Sequence, residues 1–336
     1  MKIQTLAAAA ATLAGFAGNA FAQSTVTLFG IVDAGVSQIK NGSESRKLQS
    51  VDGLSSSRLG FRGIEDLGGG LSAGFHLEGA LVPDTGNPSG YNFQRRSTVS
   101  LMHKSVGELR LGRDYVPTFW NLSAFSPFGT NGVGASGLLF YGFGGSSSTA
   151  PTIVRSNNSI GYFLPRDLGG VYGQAMVAAA EGAATGKYVG ARVGFATGPF
   201  DAAVAASEVT NNAAGDKFKS FNAGTSYNFG FLKLMALYST SKQTTTEQVT
   251  WLLGVTAPVG SGEIRAVYMD ADRKNSGNDG TLMALGYVHN LSKRTALYGQ
   301  AGRIKNEGGA TFSYGGPTQP AGRPSTAIEA GIRHSF

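Results

Sequence analysis

Residues 57–80 read SRLGFRGIEDLGGGLSAGFHLEGA. From Arg58 onward the side chains alternate: Leu59 and Phe61 fall on one face, Arg58, Gly60 and Arg62 on the other. Glu65-Asp66-Leu67-Gly68-Gly69-Gly70 interrupts as a tight turn. The alternation then resumes, with Leu71, Ala73, Phe75 and Leu77 opposite Ser72, Gly74, His76 and Glu78. A repeat of two residues is that of a β-strand, whose successive side chains point to opposite faces. The stretch predicts an antiparallel hairpin with one apolar face and one polar, charged face.

The same pattern extends in both directions. Upstream, residues 24–37 read as a first strand and 38–56 as a polar loop. Downstream, strands are expected at 93–103, 108–114, 153–164, 171–180, 187–196, 200–209, 218–228, 231–241, 247–256, 263–270, 281–289, 295–304 and 326–336. In 153–164, Ile160, Tyr162 and Leu164 share one face; Arg155, Asn157 and Ser159 share the other. Together with 57–64 and 71–80 these make sixteen strands, joined alternately by short turns and longer polar loops.

Residues 1–22 read as a cleaved signal peptide. Lys2 supplies the positive start, 6–16 the apolar run and Ala20-Phe21-Ala22 the cleavage site, so the mature chain is expected to be residues 23–336. No later stretch is apolar enough to form a transmembrane helix. The chain holds no cysteine, so packing or a closed sheet must hold it together. About 314 mature residues give roughly 20 per strand with its connection, which suits tilted membrane strands. Many strands are longer than the five or six residues usual in soluble β-proteins. Lipid admits only backbones whose polar groups are all satisfied, and a closed antiparallel barrel achieves that without an edge. The expected fold is an all-β, 16-stranded antiparallel transmembrane β-barrel with an aqueous lumen. The final strand agrees. Ile328, Ala330, Ile332, His334 and Phe336 share a face, which places the terminal Phe336 at the lipid–water girdle.

One stretch breaks the rhythm. Residues 115–150 show no alternation, carry no Lys, Arg, Asp or Glu, and contain Phe119, Trp120, Phe125, Phe128, Phe140, Tyr141 and Phe143. Ordinary connections are about 4–6 residues, and a loop this long is functional or disordered. Its aromatic content argues against disorder, so it is expected to fold inward and narrow the lumen. Phe119, Trp120 and Phe125 are expected to hold it to the wall. Tyr141 and Phe143 are candidates to line the aperture, with a structural role favoured for both.

These residues also carry a family likeness. Thr27-Leu28-Phe29-Gly30 with Asp33, the run from Ser57 to Gly63 leading into Glu65–Gly70, and Leu111-Gly112-Arg113 come first. Gly286-Tyr287 with Leu291-Ser292-Lys293-Arg294-Thr295 and the closing Gly331-Ile332-Arg333-His334-Ser335-Phe336 follow in order. Over essentially its whole length the chain resembles the general porins of Gram-negative outer membranes, in the betaproteobacterial branch, most of all the anion-selective porins of Comamonas-type bacteria. The resemblance implies a homotrimer of sixteen-stranded barrels in the outer membrane, with the third external loop folded into each lumen. It also implies a basic cluster at Arg58, Arg95 and Arg155, with Glu78 as a lumen carboxylate nearby. Enterobacterial porins carry an acidic motif in the loop that this chain lacks.

Alternation independently turns Arg58, Arg62, Arg155 and Glu78 inward. Counted from Val99 and Leu101 it selects Arg96 rather than Arg95, although a bulge would reverse that. Arg113 shares parity with Leu109 and Leu111 and so points outward, to pair at a subunit interface or to anchor the long loop. A basic cluster facing a loop without carboxylates favours anions, because like charges in a narrow channel concentrate the opposite ion. The expected partners are small anionic solutes and outer-membrane lipid. The net charge of +7 is scattered and accompanies no nucleic-acid motif.

Enzymatic readings find no support. The four histidines, His76, His103, His289 and His334, show no metal spacing. Gly68-Gly69-Gly70 is followed by neither a Walker lysine nor a helix. No cofactor is expected. Besides an anion-preferring diffusion channel, two readings stay open: a substrate-selective channel with a saturable site, and a surface adhesin or structural barrel.

Overall fold

In the computed structural model, residues 25–88, 90–141, 153–181, 186–210 and 215–336 are described. The expected signal peptide, residues 1–22, and Phe143 lie outside them. The strands are β1 (Thr25–Asn41), β2 (Glu44–Ser50), β3 (Arg58–Gly68), β4 (Leu71–Ala80), β5 (Arg96–His103), β6 (Gly107–Tyr115), β7 (Arg155–Phe163), β8 (Val171–Ala178) and β9 (Tyr188–Thr197). They continue as β10 (Phe200–Thr210), β11 (Lys217–Asn228), β12 (Lys233–Gln243), β13 (Thr246–Val259), β14 (Gly262–Arg273), β15 (Gly280–Asn290), β16 (Thr295–Asn306) and β17 (Ser325–Ser335).

β1 is the seam. Along Ile31–Asn41 it pairs antiparallel with β17, and Gly30 and Phe336 exchange backbone hydrogen bonds of 3.1 and 3.0 Å. Its other edge is shared: β2 covers residues 35–41 and β3 covers 25–31. From β3 to β17 each strand pairs antiparallel with the next. Among the described residues, seventeen strands therefore fill sixteen positions, and the sheet closes. No helix among the described residues is long and apolar enough to cross a membrane; the strands do so.

The polar loop expected at 38–56 is corrected. Residues 38–41 prolong β1, 42–43 form a turn and 44–50 form β2, which leaves 51–57 irregular. β2 reads ESRKLQS, nearly polar on both faces, with most of its residues exposed. A strand with water on both sides has no reason to alternate, so its period is invisible in sequence.

Elsewhere the alternation holds. Met283 and Leu285 on β15 are 60% and 59% exposed, while Leu282 and Ala284 beside them are buried. Val99, Leu101, Leu109, Leu111, Ile328 and Ile332 are likewise exposed. Apolar side chains outward and a satisfied backbone are what a hydrocarbon surround demands.

Beyond Tyr115 the chain forms α1 (Pro117–Ala124), a 3-10 turn at Gly132–Gly134 and α2 (Gly137–Phe140). Pro117 opens α1, where its missing N–H costs nothing. Leu122, Phe125, Phe128, Val133, Leu139 and Phe140 pack on Ala203, Leu237, Leu252, Met269 and Leu282, on the buried face of the wall. Burying each large side chain is worth about 1.5–3 kcal/mol, which explains the aromatic richness of this segment. Two glycines make room for it. A Cβ at Gly224 would strike the Phe125 ring, and one at Gly254 would strike Pro127.

Candidate functional site

The site starts from a buried carboxylate on the seam strand. Asp33 accepts hydrogen bonds from the Leu54 and Ser55 amides at 2.9 and 2.7 Å and from the Tyr298 hydroxyl at 2.7 Å. Ser57 Oγ accepts from the Asp33 amide at 2.9 Å and donates to the Val51 carbonyl at 2.6 Å. These bonds pin segment 51–57 and fix the backbone where β3 begins, at Arg58. Arg58 Nε donates to the Ser56 carbonyl at 2.9 Å.

Across β4, Glu78 is 5% exposed. Arg95 Nε lies 2.6 Å from its Oε1, Arg58 Nη1 3.7 Å from the same oxygen, and His76 Nε2 3.4 Å from Oε2. Arg95 Nη2 continues to the Tyr115 hydroxyl at 2.9 Å, and Arg155 Nη2 reaches that hydroxyl from the other side at 2.7 Å. Arg155 also lies over the Tyr115 ring, 4.3 Å from its centroid. The ring stacks on Phe119 at 4.9 Å and 15° and meets Trp120 at 5.4 Å. The three arginines the resemblance implied are thus joined through Glu78 and Tyr115.

Arg96 belongs to a second group. It faces Asp114 Oδ1 at 3.6 Å and donates to Thr98 Oγ1 at 3.1 Å. Asp114 binds Arg110 at 2.6 Å, and Arg110 binds Glu108 at 2.8 Å while covering the Phe163 ring at 3.9 Å. Both Arg95 and Arg96 find acidic partners. Arg96 opens β5 and obeys its alternation, whereas Arg95 precedes the strand and is free of it. The difference lies in charge. Among the described residues, Arg58 and Arg95 share the single carboxylate of Glu78 and Arg155 stands on Tyr115, whereas Arg96 and Arg110 meet two carboxylates. Asp52, in segment 51–57, stands in the field of Arg95 and Arg58, yet burial pushes its carboxyl up.

Other expected residues fall as follows. Arg62 is exposed and lies over Phe29 at 5.2 Å. Arg113 donates to the Gln94 carbonyl and to Asn157 Oδ1, fastening the strand ends that bracket the long loop. Phe119 and Phe125 are buried against the wall, whereas Trp120 and Tyr141 are half-buried. The shared face of Arg155, Asn157 and Ser159 is corrected. Gly112 pairs with Ser159 but Asp114 pairs with Ser156, and Asn158 takes a φ of 52°, so an extra residue on β7 breaks the phase. Tyr115, Asp114, Arg110 and Glu108 were not singled out by the sequence; their strand-end alternation near a bulge hid them.

The comparisons with known proteins agree with this geometry. The model of the Gram-negative porin family matches residues 6–309. The chain belongs to the Gram-negative porin family. Its curated relatives include outer membrane porin protein 32 of Delftia acidovorans, 40% identical over 95% of this chain and 96% of that one. An outer membrane porin protein of Bordetella pertussis is 30% identical over 98% of both chains. Among solved structures, an anion-selective porin from Comamonas acidovorans superposes with a TM-score of 0.86 at 38% identity, over 94% of this porin and all of that chain. An outer membrane protein of Vibrio cholerae in trimer form shares the fold at 14% identity, with a TM-score of 0.71 over 93% of this porin and 99% of that chain. The porin is an outer-membrane diffusion channel; its function is transport, not catalysis.

Proposed function

We propose that this porin admits small hydrophilic solutes with a preference for anions, selected by Arg58, Arg95 and Arg155 at its narrowest passage. The charge surplus of that group carries the reading: Arg58 and Arg95 share Glu78 and Arg155 rests on Tyr115, while Arg96 and Arg110 are balanced by Asp114 and Glu108. In a narrow water file with low-dielectric walls, uncompensated positive charge raises the local concentration of anions. Guanidinium stays charged and offers forked donors to carboxylate, sulfate or phosphate oxygens. The similar porin from Comamonas acidovorans, described as anion-selective, supports the reading.

In this reading segment 117–141 lies inside the barrel as the third external loop and forms the opposite side of the passage. It carries no charged residue. Its seats at Gly224 and Gly254 belong to the buried face of the wall, opposite the exposed apolar residues. Residues 1–22 act as the cleaved leader, and the family likeness supports a homotrimer.

The test is the zero-current potential of the purified protein in a planar bilayer under a KCl gradient. The expected potential has the sign set by chloride and shrinks when Arg58, Arg95 and Arg155 are changed together to Gln. A potential of cation sign, or one indifferent to the triple change, would overturn the reading.

A further inference from the structure

We propose that Tyr115 is a positioning residue for selectivity: its hydroxyl and ring fix where Arg155 holds its charge beside Arg95. This rests on the anion-selecting role proposed above for these arginines.

One oxygen receives both guanidiniums. The Tyr115 hydroxyl accepts from Arg95 Nη2 at 2.9 Å and from Arg155 Nη2 at 2.7 Å. A hydroxyl oxygen has two acceptor sites, and these two donors fill them. Like charges repel, and the shared acceptor offsets that repulsion between the two guanidiniums. Their other supports differ. Arg95 is also held by Glu78 at 2.6 Å. Among the described residues, Arg155 Nε is buried without a partner, and its guanidinium meets Tyr115 twice: at the hydroxyl, and over the ring at 4.3 Å. A guanidinium on an aromatic face is attracted by the ring quadrupole. Arg155 is therefore held at two points by one side chain.

Tyr115 in turn is anchored. Its ring stacks on Phe119 at 4.9 Å, and Phe119 is buried among Met176, Tyr188 and Phe218 of the wall strands. A continuous path runs from the wall through Phe119 and Tyr115 to the charge of Arg155. The path links the conformation of the loop to the position of a charge. What Tyr115 controls is the placement of positive charge, not its amount.

The experiment uses the full-length porin in planar bilayers under a KCl gradient, reading the chloride-to-potassium permeability ratio from the zero-current potential. Heat resistance of the folded barrel on gels is the control for assembly. Y115F keeps the ring, and so the stack and the cation–π contact, but removes the acceptor; it should lower the ratio about twofold. R155K keeps the charge but loses the planar fork, and should fall comparably, giving a reading that does not depend on Y115F folding. R155Q should lower the ratio at least as far. Y115F with R155Q should fall no further than R155Q alone, because Tyr115 acts through Arg155. Y115F and R155K at the wild-type ratio, with R155Q reduced, would overturn the positioning role and leave the selecting arginines intact. A double variant clearly below R155Q would also overturn it. R155Q at the wild-type ratio would remove the selecting role of Arg155 and this proposal with it.

Discussion

Glu78 and Arg95 form an ion pair of 2.6 Å that closes the connection between β4 and β5, and the same Glu78 oxygen stands 3.7 Å from Arg58. On the proposed reading, this carboxylate offsets part of the arginine charge that would face a passing ion.

Glu78→Gln should make the porin more anion-preferring, raising the chloride-to-potassium permeability ratio by about twofold through the added net charge. It should also destabilise the barrel by about 1–3 kcal/mol, because buried donors lose an acceptor. Bilayer potentials and thermal unfolding of the detergent-solubilised protein read the two effects separately. A lower ratio would mean that Glu78 does not compensate the arginines.

The balanced group behaves differently. Glu108→Gln together with Arg110→Gln removes one charge of each sign, so the permeability ratio should stay near wild type. Stability should fall, since Asp114 loses its 2.6 Å partner and Phe163 its cover. A large change in ratio would show that this group also selects.

Tyr298→Phe should loosen segment 51–57 by removing the 2.7 Å bond to Asp33. A hydrogen bond to a charged acceptor is worth about 1.5–3 kcal/mol, so the unfolding midpoint should drop. Proteolysis should also become easier between residues 51 and 57. An unchanged midpoint would assign the pinning to the Leu54 and Ser55 amides alone.

Gly224→Val tests the seat of the loop. The new side chain meets the Phe125 ring, and overpacking of this kind costs about 1–3 kcal/mol. With the loop displaced, single-channel conductance should rise. Unaltered conductance would mean that the loop does not limit the aperture.

Ionic strength gives a test without mutation. The screening length is about 10 Å at 0.1 M salt and about 3 Å at 1 M. At a fixed concentration ratio across the bilayer, the anion preference should weaken as mean KCl rises through that range. A preference independent of salt would point to size rather than charge as the selector.

The strands were legible wherever lipid lies on one side and water on the other, because that asymmetry writes a two-residue period into the chain. β2 was not, since both its faces meet water. The count of sixteen survived because β2 and β3 share one position. Arg58 and Glu78 could be placed by alternation within β3 and β4. Arg95 and Tyr115 could not, because each sits where a strand ends and the ladder no longer dictates direction. The extra residue on β7 leaves no mark beyond the Asn157-Asn158 pair, so the phase of Arg155 had to come from the fold.

The seam has a consequence in time. The wall is complete only when Ser325–Ser335 lies against β1 and Phe336 meets Gly30, a contact between residues about 300 positions apart. Until the last eleven or twelve residues arrive, β1 keeps an open hydrogen-bonding edge able to pair with any other chain. Contacts this distant along the chain also form slowly. The pairing of β17 with β1 is thus the lock of the closed wall. A chain cut short by a few residues at that end would be left not as a slightly smaller channel but as an open sheet, prone to aggregate before it reaches lipid.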